Sequence, residues 1–121
     1  TEIEMAVNID GEKVEALVEG LDAMLDHMND SYREWMKTDD PIKKRMCSEY
    51  HAGLTYYMGK KYVKVISGNS VCAFVVACDG DKKFMFGDIL KPAGWRAPAR
   101  NFRRGNVLDR SFDRVRWTGA L

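Results

Sequence analysis

No apolar run in this chain approaches the roughly 18 residues that a bilayer-spanning helix requires, so no membrane-crossing helix is expected. The opening residues, TEIEMAVNID, are acidic and lack the basic start and apolar middle of a secretion signal, which sets the expected location as cytoplasmic. Cysteines number only three, an odd count that argues against an obligatory disulfide framework and fits a reducing compartment. With two histidines, His27 and His51, few combinations of nucleophile, base and orienting partner are available, and the expectation is a protein that is not an enzyme. Neither GxxxxGK[ST] nor GxGxxG occurs, so the familiar phosphate-cradling loops are not indicated. Internal repeats and low-complexity segments are also missing.

What is present is 121 residues with 45% hydrophobic content, enough for one compact domain spanning 1–121. Its formal charge of +1 conceals two unlike halves. Residues 1–58 hold 13 acids and 6 bases, a net −7, whereas residues 59–121 hold 5 acids and 13 bases, a net +8. Such asymmetry points to an anionic partner on the basic side, unless the two halves simply neutralise each other within one fold.

From Glu12 to about Lys37, the apolar residues Val14, Leu17, Val18, Leu21, Met24, Leu25, Met28, Tyr32, Trp35 and Met36 recur at helical spacing. Glu12, Glu15, Glu19, Asp22, Asp26, Asp30 and Glu34 fill the opposite face, and Asp10 is placed to cap the start. Asp40 and Pro41 read as the cap and first residue of a second helix, running to about Ala52, with Ile42, Met46 and Tyr50 inward. The short connection favours an antiparallel helical pair.

After Gly59 the period becomes alternating. Strands are expected at Lys61–Ser67 and Ser70–Cys78, with a third beginning at Lys83–Phe86 and an edge strand at Asp88–Lys91, where Pro92 stops the ladder. Within the second of these, Cys72, Phe74, Val76 and Cys78 should share one face and Val71, Ala73, Val75 and Ala77 the other, the smaller face lying under the helices. Pro98–Arg104 reads as a short helix closed by Gly105, and Arg114–Thr118 as a last strand or ordered tail. The expected fold is α+β: an N-terminal antiparallel helical pair on a small antiparallel β-sheet of 3–4 strands, with a short C-terminal helix and a basic tail.

The segment Gly87-Asp88-Ile89-Leu90-Lys91, followed by Ala93, Trp95, Ala97-Pro98-Ala99 and Arg104-Gly105-Asn106, resembles a motif of small accessory proteins of tailed bacteriophages. With the helical N-terminus and the KYxKV-type strand the resemblance covers about half of the chain. Most such proteins have no assigned function, so it implies a phage origin more than an activity. In size and character the chain is also similar to phage single-stranded-DNA-binding cofactors that recruit an RNA polymerase. This resemblance implies a transcription or replication accessory role in the host cytoplasm, with a phage or host RNA polymerase as partner.

The residues themselves point to polyanion binding. Lys91, Arg96, Arg100, Arg103, Arg104, Arg110, Arg114 and Arg116 stand in one segment against only Asp109 and Asp113, and Lys60, Lys61, Lys64, Lys82 and Lys83 extend the series along a sheet edge. Cations at short intervals neutralise a phosphate backbone, with affinity that falls as salt rises. Aromatic faces among them suit unstacked bases. Trp95, Phe102, Phe112 and Trp117 are the candidates, with Tyr57 and Tyr62 behind them; Trp95 is the one assigned to the site, while Phe102 and Phe112 are expected in the core. The expected activity is non-enzymatic binding of single-stranded nucleic acid, DNA favoured. The alternative is a phage inhibitor of a host protein acting by protein contact. Cys47, His51, Cys72 and Cys78 make a zinc site conceivable, but the close cysteine pairs of such sites are missing and no metal or cofactor is expected. Homodimerisation through the long helix or the opposed charges is left open.

Overall fold

The computed structural model describes residues 11–37 and 40–121. Its chain order is α1 (Gly11–Met36), α2 (Pro41–Gly53), β1 (Leu54–Met58), β2 (Tyr62–Ser67), β3 (Ser70–Val76), β4 (Ile89–Leu90), β5 (Val115–Arg116) and β6 (Gly119–Ala120). The first four strands form one antiparallel sheet in the order β1-β2-β3-β4, and β5-β6 is a separate hairpin. The fold is α+β. The cap expected at Asp10 lies outside the described residues.

The apolar stripe of α1 sits on one face of the sheet. Leu17, Leu21, Met24 and Met28 are fully buried against Val63, Val65, Ala73, Val75, Ala77 and Ile89. Burying each such leucine or methionine contributes about 1.5–3 kcal/mol, so this layer is the main source of stability. Gly20 belongs to the same stripe because α1 passes directly over a backbone: a Cβ there would stand 2.7 Å from the Val107 carbonyl oxygen. All seven acidic residues of the opposite face are exposed.

In α2, Asp40 accepts a hydrogen bond from the Ile42 amide at 2.8 Å and Pro41 opens the helix, as its sequence predicts. The inward face is corrected. Tyr50 stacks on Tyr32 at 4.3 Å, but Ile42 and Met46 are exposed and no residue of α2 is buried. The helix touches α1 along its later turns, where Asn29 meets His51 and Tyr32 meets Tyr50, an antiparallel arrangement.

Four further differences have identifiable causes. β1 follows α2 directly, pairing Leu54 with Ser67, so the sheet begins inside the acidic half, before Gly59. Lys83–Phe86 is not a strand, because the amides of Lys83 and Phe84 are bonded to the Asp81 carboxylate and that of Met85 to Asp88 instead of to a neighbouring strand. Pro98–Arg104 is not a helix: the Ala99 amide donates to Lys91 and the Arg104 amide to Ile89, which holds the segment extended beside β4. Strict alternation in β3 fails at its start. Ile66 pairs with Val71 and Val65 with Ala73, so Cys72 is an extra residue, and this bulge turns Cys72 toward the helical core and Val71 toward Phe74.

Candidate nucleic-acid interface

The register of the sheet decides which residues reach its two faces. One row reads Met58, Val63, Val75, Ile89 and faces α1. The next row reads Tyr57, Lys64, Phe74, Leu90 and faces away. Phe74 and Leu90 are covered on that side by Phe84, forming a small second core with Val76. Tyr57 is not covered, at 65% exposure, and Lys64 is half-buried.

Trp95 reaches this face from the loop after β4. The Ala99 amide donates to Lys91 at 2.7 Å, and those of Ala93 and Gly94 donate to Ala97, which makes 91–99 a tight hairpin with Trp95 and Arg96 near its tip. The indole, 50% exposed, lies over Lys64, whose ammonium is 4.7 Å from the ring centre and 5.9 Å from that of Phe74. A cation over an aromatic face is attracted by the ring quadrupole.

Two residues before Lys64 and on the same face, Tyr62 begins a second group. Its hydroxyl accepts from Arg100, whose other guanidinium nitrogen donates to Asp81 at 2.9 Å. Lys61 stands 3.8 Å from the same carboxylate, and Lys83 donates to the Arg100 carbonyl at 2.6 Å. The Arg100 guanidinium and the Lys83 and Phe84 amides hold the Asp81 carboxyl well below the usual carboxylate range, and Asp81 in turn raises Arg100. Two cations, Lys61 and Arg100, share one carboxylate here and the Lys83 ammonium has no carboxylate of its own, so the group stays positive. Lys60 in the β1–β2 turn, Lys82 beside Lys83, Lys91 at the hairpin base and Arg96 near its tip are exposed, with no ion pair to a described residue.

The remaining arginines of the expected track are placed elsewhere. Arg103 donates to the buried Asp88 at 3.2 Å. Arg104 is buried and bonded to Asn101 and the Phe102 carbonyl. Arg110 donates to the Val107 carbonyl and Arg116 to that of Asp113, while Arg114 lies against Phe102. Arg116 also lines a cleft with His27, Glu34 and Trp35, beside α1 and therefore on the helical side. A continuous track of all thirteen cations does not form. Lys60, Lys61, Lys64, Lys82, Lys83, Lys91, Arg96 and Arg100 occupy the open face and the turns and loops next to it, together with Trp95.

Among the other aromatics, Phe112 is buried as expected, Phe102 is exposed against expectation, and Trp117 joins Tyr32, Trp35 and Tyr50 at the helical end. Tyr57 had a usable sequence signal, the run Leu54-Thr55-Tyr56-Tyr57-Met58 between two glycines, in which alternation exposes Thr55 and Tyr57.

The segments around residues 87–91 and 104–106 have a structural task. Asp88 accepts from Asn106 at 2.9 Å, from Arg103 and from the Met85 amide, and Asn106 also donates to the Phe86 carbonyl. Gly105 is no helix cap. It has φ 142°, and a Cβ there would meet the Ser111 carbonyl oxygen at 1.9 Å, so the close chain crossing requires glycine. Cys47, Cys72 and Cys78 are free thiols, and the described residues contain no group of three or more histidine, cysteine, aspartate or glutamate side chains able to hold a metal. No helix among the described residues is long and apolar enough to cross a membrane.

A small α+β domain with an open cationic and aromatic sheet face is the class these features define. The chain belongs to a family of unknown function, DUF7717, whose model matches residues 5–121. No curated protein and no solved structure matches it.

Proposed function

We propose that the protein binds single-stranded nucleic acid on the open sheet face, without catalysis, in an accessory role of the kind implied by its resemblance to phage transcription and replication factors. The observation that carries this reading is the row Tyr57–Lys64 with Trp95 folded over it, edged by Lys61, Lys83, Lys91, Arg96 and Arg100. Two exposed rings flank an ammonium group, which matches what a strand offers: stacked bases alternating with phosphates. Single strands are favoured over duplex because the described residues present no regular helix on this face to enter a major groove, and bases already stacked inside a duplex offer no free faces to the rings. The acidic ridge of α1 is on the far side of the sheet, so the charge asymmetry of the sequence is also an asymmetry in space and orients the protein toward a polyanion.

The test is titration of labelled single- and double-stranded oligonucleotides of equal length at two ionic strengths. Single-strand binding that weakens steeply with salt supports the reading. Absence of binding at about 50 mM salt, or binding indifferent to a severalfold rise in salt, removes its physical basis.

A second reading rests on different residues. Trp35, Ile42 and Met46 are exposed apolar side chains at the helical end, beside the Tyr32, Tyr50 and Trp117 rings. They fit contact with a protein, whether a polymerase, an inhibited host protein or a second copy. Co-purification of one host protein after nuclease treatment, lost in Ile42→Lys, supports this reading.

A further inference from the structure

Arg104 is the only lysine or arginine buried among the described residues, at 5% exposure. It has no carboxylate within ion-pair distance among them. One terminal nitrogen donates to Asn101 Oδ1 and to the Phe102 carbonyl, both at 2.6 Å, and Nε is buried with no partner. Its guanidinium carbon lies 3.8 Å from the centre of the Phe102 ring, and that of Arg114 lies 5.4 Å from the same centre. Two cations thus gather at one ring, which is itself 46% exposed. Burial, and then the charge of Arg114, push Arg104 below its ordinary pKa. Two neutral oxygen acceptors and the Phe102 ring offset part of the desolvation of this charge, but no carboxylate among the described residues does, whereas Arg100 on the open face has Asp81.

We propose that Arg104 and Arg114 form a phosphate-binding site against Phe102, separate from the open sheet face and able to act without it. Phosphate fits because a tetrahedral anion offers oxygens to two guanidinium groups at once, whereas a single carboxylate is satisfied by one fork. The exposed Phe102 ring gives an adjoining base a surface to stack on. The phosphate has two possible sources, a free nucleotide or the end of a strand, and both present the same group. Arg104 is held in place by the extended pairing of its amide with Ile89, so the site is preformed on the edge of the sheet beyond β4.

The test uses the whole chain at low chloride. Inorganic phosphate is titrated by phosphorus NMR or calorimetry, followed by a nucleoside monophosphate and by a short oligonucleotide with and without a 5′-phosphate. Wild type should show one saturable site for inorganic phosphate and should melt at higher temperature in phosphate than in chloride of equal ionic strength. Arg114→Ala, at an exposed position, should keep its melting temperature in chloride but bind phosphate about tenfold more weakly, the effect of losing one charge-assisted hydrogen bond. Arg104→Lys should weaken binding as well, since an ammonium lacks the planar fork. A preference for the 5′-phosphorylated strand supports a strand end; tightest binding of the monophosphate supports a free nucleotide. Unchanged phosphate binding in Trp95→Ala separates this site from the open face. No saturable binding below about 10 mM phosphate, or equal affinity in wild type, Arg114→Ala and Arg104→Lys, overturns the proposal.

Discussion

The Lys64 ammonium and the Trp95 indole meet on the open side of the sheet, 4.7 Å from nitrogen to ring centre. At a half-exposed ring this contact is worth about 0.5–1 kcal/mol, less than the roughly 1–3 kcal/mol of stacking a base on the same ring. On the proposed reading, a bound strand would displace the lysine from the ring and use both, the base taking the indole and the phosphate the ammonium.

Trp95→Ala should lower affinity for single strands by about tenfold, within the roughly 1–3 kcal/mol of one lost stack, and affinity for duplex much less. Tyr57→Ala should act in the same direction. Fluorescence anisotropy with matched oligonucleotides measures both, and equal losses on single strand and duplex would count against stacking.

Asp88 is buried and holds Asn106, Arg103 and the Met85 amide together. Asp88→Ala leaves those donors without their acceptor and should cost about 3 kcal/mol of stability in urea denaturation. Arg96→Ala, exposed near the hairpin tip, should stay within about 0.5 kcal/mol of wild type and serves as the control.

The acid limb of stability should involve Asp81. Its folded carboxyl is depressed by Arg100 first and by the Lys83 and Phe84 amides next, so the unfolded chain takes up a proton before the folded one does. The stabilisation is whole above the ordinary carboxylate value of about 4 and declines as pH falls toward the depressed one. Asp81→Asn should melt lower than wild type at neutral pH, with the gap narrowing below about pH 4. A gap that stays constant through that range would show that Asp81 does not titrate with folding.

At Gly20 two effects oppose each other. Alanine improves helix propensity by about 1 kcal/mol. Its methyl group would also stand 2.7 Å from the Val107 carbonyl oxygen, and overpacking of this kind costs about 1–3 kcal/mol. Because the obstacle is backbone and cannot rotate aside, Gly20→Ala should be net destabilising, by several degrees in a calorimetric melt. A rise in melting temperature would mean that α1 can shift away from residue 107.

Burial pushes the Cys72 thiol up to about 12 and, with Asp81, also raises that of Cys78, but Cys47 and Cys78 are partly exposed and so reachable by reagent. A maleimide at neutral pH should modify two cysteines in the folded protein and a third only on unfolding. Mass spectrometry of the labelled peptides identifies which one resists, and early labelling of Cys72 would place it nearer the surface.

Legibility followed the range of the interactions. The α1 stripe, the Asp40–Pro41 start of α2 and the Gly68-Asn69 turn depend on residues a few positions apart, and all were readable. β1 carries a weak local signal, alternation between Gly53 and Gly59, but Leu54–Met58 is only five residues long and directly follows a helix, so pairing with β2 is what fixes it as a strand. The Pro98–Arg104 segment carries proline-first, glycine-last helix punctuation. Its amides are nonetheless taken by Lys91 and Ile89, and a distant partner overrode the local preference. The bulge at Cys72 was equally invisible, since alternation in the sequence cannot show where one strand holds a residue more than its neighbour.

The helical stripe, the split of charge between the halves and an excess of cations with aromatic neighbours are legible in the sequence alone, because composition and short-range periodicity are local properties. Only the tertiary structure decided which cations are free. Asp81, Asp88 and several backbone carbonyls, remote in sequence or hidden in turns, engage Arg100, Arg103, Arg110 and Arg116, and the chain crossing at Gly105 leaves Arg104 buried with Arg114 beside it. A guanidinium group declares its charge in the sequence, but its counterion is chosen by the fold.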